Sequence, residues 1–83
     1  SITVNNNPFE KEVRITAKAP HGGRFNLAIY DLMGRMVFSH NEYISAGMSK
    51  EVIGKTGNSP GIYFLRAVFN GDVINKKIIR IYE

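Results

Sequence analysis

The stretch from Leu27 to Arg35, Leu-Ala-Ile-Tyr-Asp-Leu-Met-Gly-Arg, constrains the fold more than any other part of the chain. An apolar strand runs straight into a tight turn. Asp31 holds the first position and Gly34 the fourth, as a type I turn prefers. Aspartate hydrogen-bonds back to its own backbone, and glycine accepts the left-handed conformation. Arg35-Met36-Val37-Phe38 follows at once as a second strand, so the unit is a β-hairpin. Nothing in it performs chemistry.

The same pattern recurs along the chain. Ile2 to Val4 reads as a short first strand, and Asn7-Pro8 breaks it, because proline cannot donate to a ladder and forces its predecessor extended. Val13, Ile15 and Ala17 alternate with Arg14, Thr16 and Lys18, which describes a strand with one wet face. Pro20-His21-Gly22-Gly23 reverses the chain. Phe25, Leu27 and Ile29 then alternate with Asn26, Ala28 and Tyr30. Met36 to Ser39 continues the hairpin, and Ser45-Ala46-Gly47 turns into a weaker strand near Lys50 to Ile53.

Gly54 to Gly57 reads as a breaker, and Pro60-Gly61 suits the centre of a type II turn. Ile62 to Phe69 is the most apolar strand and is expected at the middle of a sheet. Asn70-Gly71 is the strongest short hairpin signal, leading into a last strand from Val73 to Tyr82. Helical spacing of apolar residues is not sustained over any long window. Seven short strands with regular turns predict an all-β immunoglobulin-like β-sandwich, with a small closed barrel as the alternative. The expected core is Phe25, Leu27, Ile29, Tyr63, Leu65 and Ile79.

Composition narrows the function classes. At 83 residues one core is filled, so a single domain spanning 1–83 is expected, with 1–7 as linker or first strand. The apolar content of 43% is that of a globular chain. Basic residues outnumber acidic ones, 11 to 7, but are spread along the chain, which weakens a nucleic-acid reading. Cysteine is absent, so neither a disulfide scaffold nor a thiolate metal site exists. No apolar run approaches the roughly 20 residues that span a bilayer. The start at Ser1 is read as the excision of a domain from a longer parent.

Catalytic constellations are missing. His21 and His40 have no cysteine or spaced carboxylate to complete a metal site. His21-Gly22-Gly23 lacks the nucleophile elbow an esterase loop would serve. The carboxylates (Glu10, Glu12, Asp31, Glu42, Glu51, Asp72, Glu83) fall at turns, termini or wet strand positions, and both histidines are expected in solvent. The chain is therefore read as a non-enzyme with no cofactor. Tyr30, Tyr43, Tyr63 and Tyr82 offer a carbohydrate-binding alternative through ring stacking. Lys76, Lys77 and Arg80 form the one local basic cluster, which either discourages edge pairing or docks an anionic partner.

Three blocks in order carry a family resemblance. They are Asn7-Pro8-Phe9 with Val13-Arg14-Ile15, then Leu27 to Val37, then Pro60-Gly61-Ile62-Tyr63-Phe64-Leu65 with Asn70-Gly71 and Lys76-Lys77-Ile78-Ile79-Arg80. The chain resembles the C-terminal sorting domain, type A, of type IX (Por) secretion substrates. One departure is Asn58, where the family usually has leucine. The resemblance implies a signal domain that directs an upstream cargo across the outer membrane of a Gram-negative bacterium, to be secreted or held at the cell surface. The implied partners are the type IX translocon, surface-attachment components and an anionic lipopolysaccharide. The implied signature set is Asn7, Pro8, Tyr30, Asp31, Gly34, Arg35, Gly61, Tyr63, Lys77 and Arg80, with Lys77 and Arg80 in direct contact. The last strand is the edge to present, and its pairing within one chain or exchange in a dimer is left open. The alternative is a carbohydrate-binding or structural immunoglobulin-like accessory module.

Overall fold

In the computed structural model, which describes residues 1–81, the chain forms seven strands and no helix. They are β1 (Ile2–Val4), β2 (Glu12–Ala19), β3 (Gly23–Tyr30), β4 (Met36–Ile44), β5 (Met48–Lys55), β6 (Gly61–Phe69) and β7 (Asp72–Arg80). Sheet one has the order β1-β2-β5 and sheet two the order β4-β3-β6-β7, with every strand pair antiparallel. Two separate sheets make a β-sandwich of immunoglobulin-like type, not a closed barrel. The fourth strand pairs with β3 and so lies with β6 and β7, whereas in constant-type immunoglobulin domains it lies with the first, second and fifth strands.

Alternation decides what each strand buries. Val13, Ile15, Ala17 and Ala19 of β2 face Phe25, Leu27 and Ile29 of β3, and all are buried. β6 adds Tyr63, Leu65 and Ala67 to that layer. Each large aliphatic side chain removed from water there contributes about 1.5–3 kcal/mol. On β7 the inward residue is Ile78, wholly buried, while Ile79 is 37% exposed on the outer face. The expected core residue Ile79 is thus replaced by its neighbour. The register pairs Tyr63 with Ile78, which fixes the phase of β7 to that of β6.

The turns follow their residues. Gly34 N donates to Asp31 O at 3.0 Å and Asp31 N to Arg35 O at 2.9 Å, with Gly34 at φ 82°. This is a type I turn closed by a left-handed glycine, the common three-residue hairpin loop. Asn70 and Gly71 both take positive φ (49° and 86°), as a two-residue primed turn requires. Gly61 differs from expectation. It opens β6 at φ 132°, far from the roughly +80° of a type II turn. Ser59 O is taken by the Tyr63 hydroxyl, at 2.6 Å.

Two strands are longer than expected. β4 continues to Ile44 and β5 starts at Met48 and runs to Lys55, because both keep pairing with β3 and β2 where their own composition is polar. Gly54, expected as a breaker, lies inside β5 opposite Val13. A Cβ there would lie 2.9 Å from Val13 Cγ1 and 3.0 Å from Ile29 Cδ1, so the glycine lets the two sheets approach. The last strand ends at Arg80, and Tyr82 lies outside the described residues.

Candidate recognition site

Most of the sequence-predicted signature residues meet at one end of the sandwich. The β3–β4 turn, the loop from 56 to 61, the strap from 5 to 10 and the end of β7 converge there. A cleft of about 370 Å³ separates the turn from the loop. Its lining includes Asp31, Arg35, Gly61 and Tyr63, which lie far apart in sequence. The buried Thr56 hydroxyl also lines it and has no hydrogen-bond partner among the described residues.

Asp31 organises its turn. Its Oδ1 accepts from the backbone N–H of Met33 and of Arg35, each at 2.9 Å, and its Oδ2 accepts from Arg35 Nε at 2.9 Å. Donation from the Arg35 backbone, then from the Arg35 guanidinium, holds this carboxyl below its ordinary value of 3.8. Stabilising the charged form lowers a carboxyl pKa. Arg35 Nε is thus bonded to Asp31, while 78% of the Arg35 side chain stays exposed. Gly34 acts through backbone geometry alone, since a Cβ there would meet nothing within 4 Å.

The strap ties the chain's start to its end. The Asn7 amide imitates a strand residue: Nδ2 donates to Lys77 O and Oδ1 accepts from Ile79 N, each at 3.0 Å. Pro8 follows, and Phe9 pairs in parallel with the end of β7. Phe9 N donates to Ile79 O at 2.8 Å and Ile81 N to Phe9 O at 2.9 Å. The Phe9 ring is buried against Tyr63, with centroids 6.5 Å apart. Aromatic pairs at such separations gain about 0.5–1.5 kcal/mol beyond burial.

Arg80, expected to contact a partner, is occupied inside the domain. Its Nε donates to Glu10 O at 2.5 Å and its Nη1 to Gly57 O. The guanidinium clamps the strap to the loop. The basic cluster is divided as well: Lys77 lies on the outer face of sheet two, while Lys76 takes the inward phase of β7 but remains exposed.

The outer face near this end carries residues that sequence reasoning passed over. Tyr30 is opposite Phe64, Phe64 opposite Lys77, and Ile62 opposite Ile79. Phe64 and Ile79 are 43% and 37% exposed. The signal was available in the phase of β6, whose outward residues Ile62, Phe64 and Val68 are apolar, with Arg66 the exception. Among the described residues the tyrosines do not form a platform: Tyr63 is buried, and Tyr30 and Tyr43 lie at opposite ends of the hairpin, while Tyr82 lies outside the described residues.

At the opposite flank, His40 and Glu42 of β4 take the inward phase, not the solvated one expected. His40 Nε2 and Glu42 Oε1 are 2.8 Å apart, and Lys50 Nζ of β5 lies 3.1 Å from Glu42 Oε2. The His40 ring also tilts against Phe25 at 6.1 Å. Hydrogen bonds from His40, then Lys50, hold the Glu42 carboxyl below its ordinary 4.5. Among the described residues no group of histidines and carboxylates is placed to hold a metal ion. Among the described residues, too, no helix is long and apolar enough to cross a membrane.

The protein is a small two-sheet module whose sequence blocks interlock at one end. The family described as secretion system C-terminal sorting domain matches residues 4–81, so the chain belongs to the type IX secretion C-terminal sorting domains. No curated protein matches the chain.

Proposed function

We propose that this domain is a non-catalytic sorting signal that carries an upstream cargo protein across the outer membrane through the type IX machinery to the cell surface. The family match over nearly the whole chain supports this reading most directly. The interlocked end gives it a physical form: a translocon component would read one shape assembled from three sequence blocks. In this reading Asn7, Pro8, Asp31, Gly34, Arg35, Gly61, Tyr63 and Arg80 hold that shape. Tyr30 and Lys77, on the outer face beside Phe64, are the side chains available to touch a partner. Passage through the periplasm, cleavage upstream of the domain and attachment of the cargo to an anionic lipopolysaccharide belong to the same proposal.

The test is a reporter protein with an export leader, fused to this domain. Surface exposure of the reporter only in cells with a working type IX system is the expected result. A reporter that stays in the periplasm of such cells defeats the proposal. Lys77→Glu combined with Tyr30→Ala should lower export while leaving the purified domain's melting temperature nearly unchanged.

A further inference from the structure

The outward edge of β7 is closed along one half only. Lys77 O, Ile79 N, Ile79 O and Ile81 N are all satisfied by the strap, through the Asn7 amide and the Phe9 backbone. In an antiparallel pair, alternate residues turn both backbone groups to the same side. The residues facing away from β6 are therefore 73, 75, 77 and 79. The N–H and C=O of Val73 and Asn75, with the N–H of Lys77, have no protein partner among the described residues. That is an open edge of about 14 Å.

The open half borders an apolar hollow. Between the edges of the two sheets lies a cavity of about 250 Å³, lined among others by Ile2, Ala19, Phe69 and Ile74. Further along the same flank, Phe9 fills the equivalent gap from a segment laid on the edge. The molecule thus carries its own example of what fits there: extended chain along the edge, one bulky apolar side chain turned inward. Lys76 and Lys77 follow Ile74 along β7, both exposed and with no carboxylate paired to them among the described residues. Asp72 is the acidic residue at the hollow, at the other end of the open edge.

We infer that the Val73–Lys77 edge binds an extended segment of a partner protein in which a bulky apolar residue precedes or follows acidic ones. The segment adds as a strand beside β7, its apolar side chain enters the hollow near Ile74, and its carboxylates lie against Lys76 and Lys77. Strand addition supplies affinity through the main chain and specificity through alternate side chains. The inference rests on the sorting reading for its biological setting, and the chemistry stands apart from it.

The probe is a blocked peptide containing two glutamates, a threonine, a phenylalanine and a valine in that order. Antiparallel pairing places these opposite residues 77 to 73. Fluorescence anisotropy on the 83-residue domain should give saturable binding that weakens as salt is raised. Amide NMR shifts should concentrate on residues 73–77 and around Ile2 and Phe69. Asn75→Pro should weaken binding about tenfold, since it removes an outward donor and blocks the edge without touching the bonds to β6. Lys76→Glu with Lys77→Glu should weaken it similarly and restore affinity for a lysine version of the peptide.

Equal binding by Asn75→Pro, or shifts on another surface, overturns the inference. So does a domain dimer formed through this edge in place of peptide binding. A domain that exports its reporter yet ignores the peptide removes this inference alone. One that takes the peptide but fails to export removes the sorting reading alone.

Discussion

The two flanks of the sandwich are closed by different means. Between β4 and β5 the strands already pair with their own sheets, and the inward face of β4 sets the polar His40 and Glu42, bridged to Lys50, between the apolar Phe38 and buried Ile44. Between β1 and β7 a separate segment is recruited, and its Phe9 is buried to 1% exposure. In the first closure the ion pairs are partly exposed and contribute little in water. The second rests on burial of an aromatic ring, which contributes about 1.5–3 kcal/mol. The flank onto which Asn7 and Phe9 fold thus has a recruited aromatic anchor, and it is also the one left partly open.

The largest expected effect follows from that contrast. Phe9→Ala should cost about 3–5 kcal/mol, measured by chemical denaturation, because the strap has no other buried anchor. A loss below about 1 kcal/mol would mean that the flank collapses to fill the void and that the two closures are equivalent. Gly54→Ala tests the sheet spacing that both flanks share. The added methyl meets Val13 and Ile29 and should cost about 1–3 kcal/mol.

Smaller changes sharpen the comparison. Asn7→Ala removes two hydrogen bonds to β7 but leaves Phe9 in place, so about 1 kcal/mol is expected. Hydrogen exchange at Ile79 should accelerate more than at Ile78, whose backbone faces β6. Glu42→Gln should have the smallest effect, and a pH-dependent one. A carboxyl with a depressed folded value adds stability above its ordinary value, and that stability is lost as pH falls through the folded one. The difference between wild type and Glu42→Gln should therefore be present at pH 7 and shrink as pH falls from the ordinary 4.5 through the lower folded value. A difference that does not shrink on acidification would show that Glu42 acts through packing instead of charge.

Much of this was legible in the chain. The Asp31–Gly34 turn, the Asn70-Gly71 hairpin and the alternation in β2 and β3 formed as expected, because each depends on residues a few positions apart. The family resemblance rested on the same local blocks and was met by the match over residues 4–81. Readings that needed a second strand went differently. Ile78 and Ile79 are both isoleucine, so nothing within β7 says which points inward, and the pairing with Tyr63 decides it. Glu42 and His40 have polar side chains suited to solvent, yet the phase set by Leu27 and Phe25 turns them inward.

The amino-acid order alone determined that the chain would fold as strands and tight turns, since periodicity and turn chemistry act over short distances and need no partner. Tertiary structure decided that Asn7 and Phe9 would lie on β7, and that Arg80 would be spent on the carbonyls of Glu10 and Gly57. The contacts of Asn7 with Lys77 and of Arg80 with Glu10 each join residues 70 positions apart along the chain, and that of Arg80 with Gly57 joins residues 23 apart. No local rule reaches that far; only the closing of two sheets over one core brings the ends together.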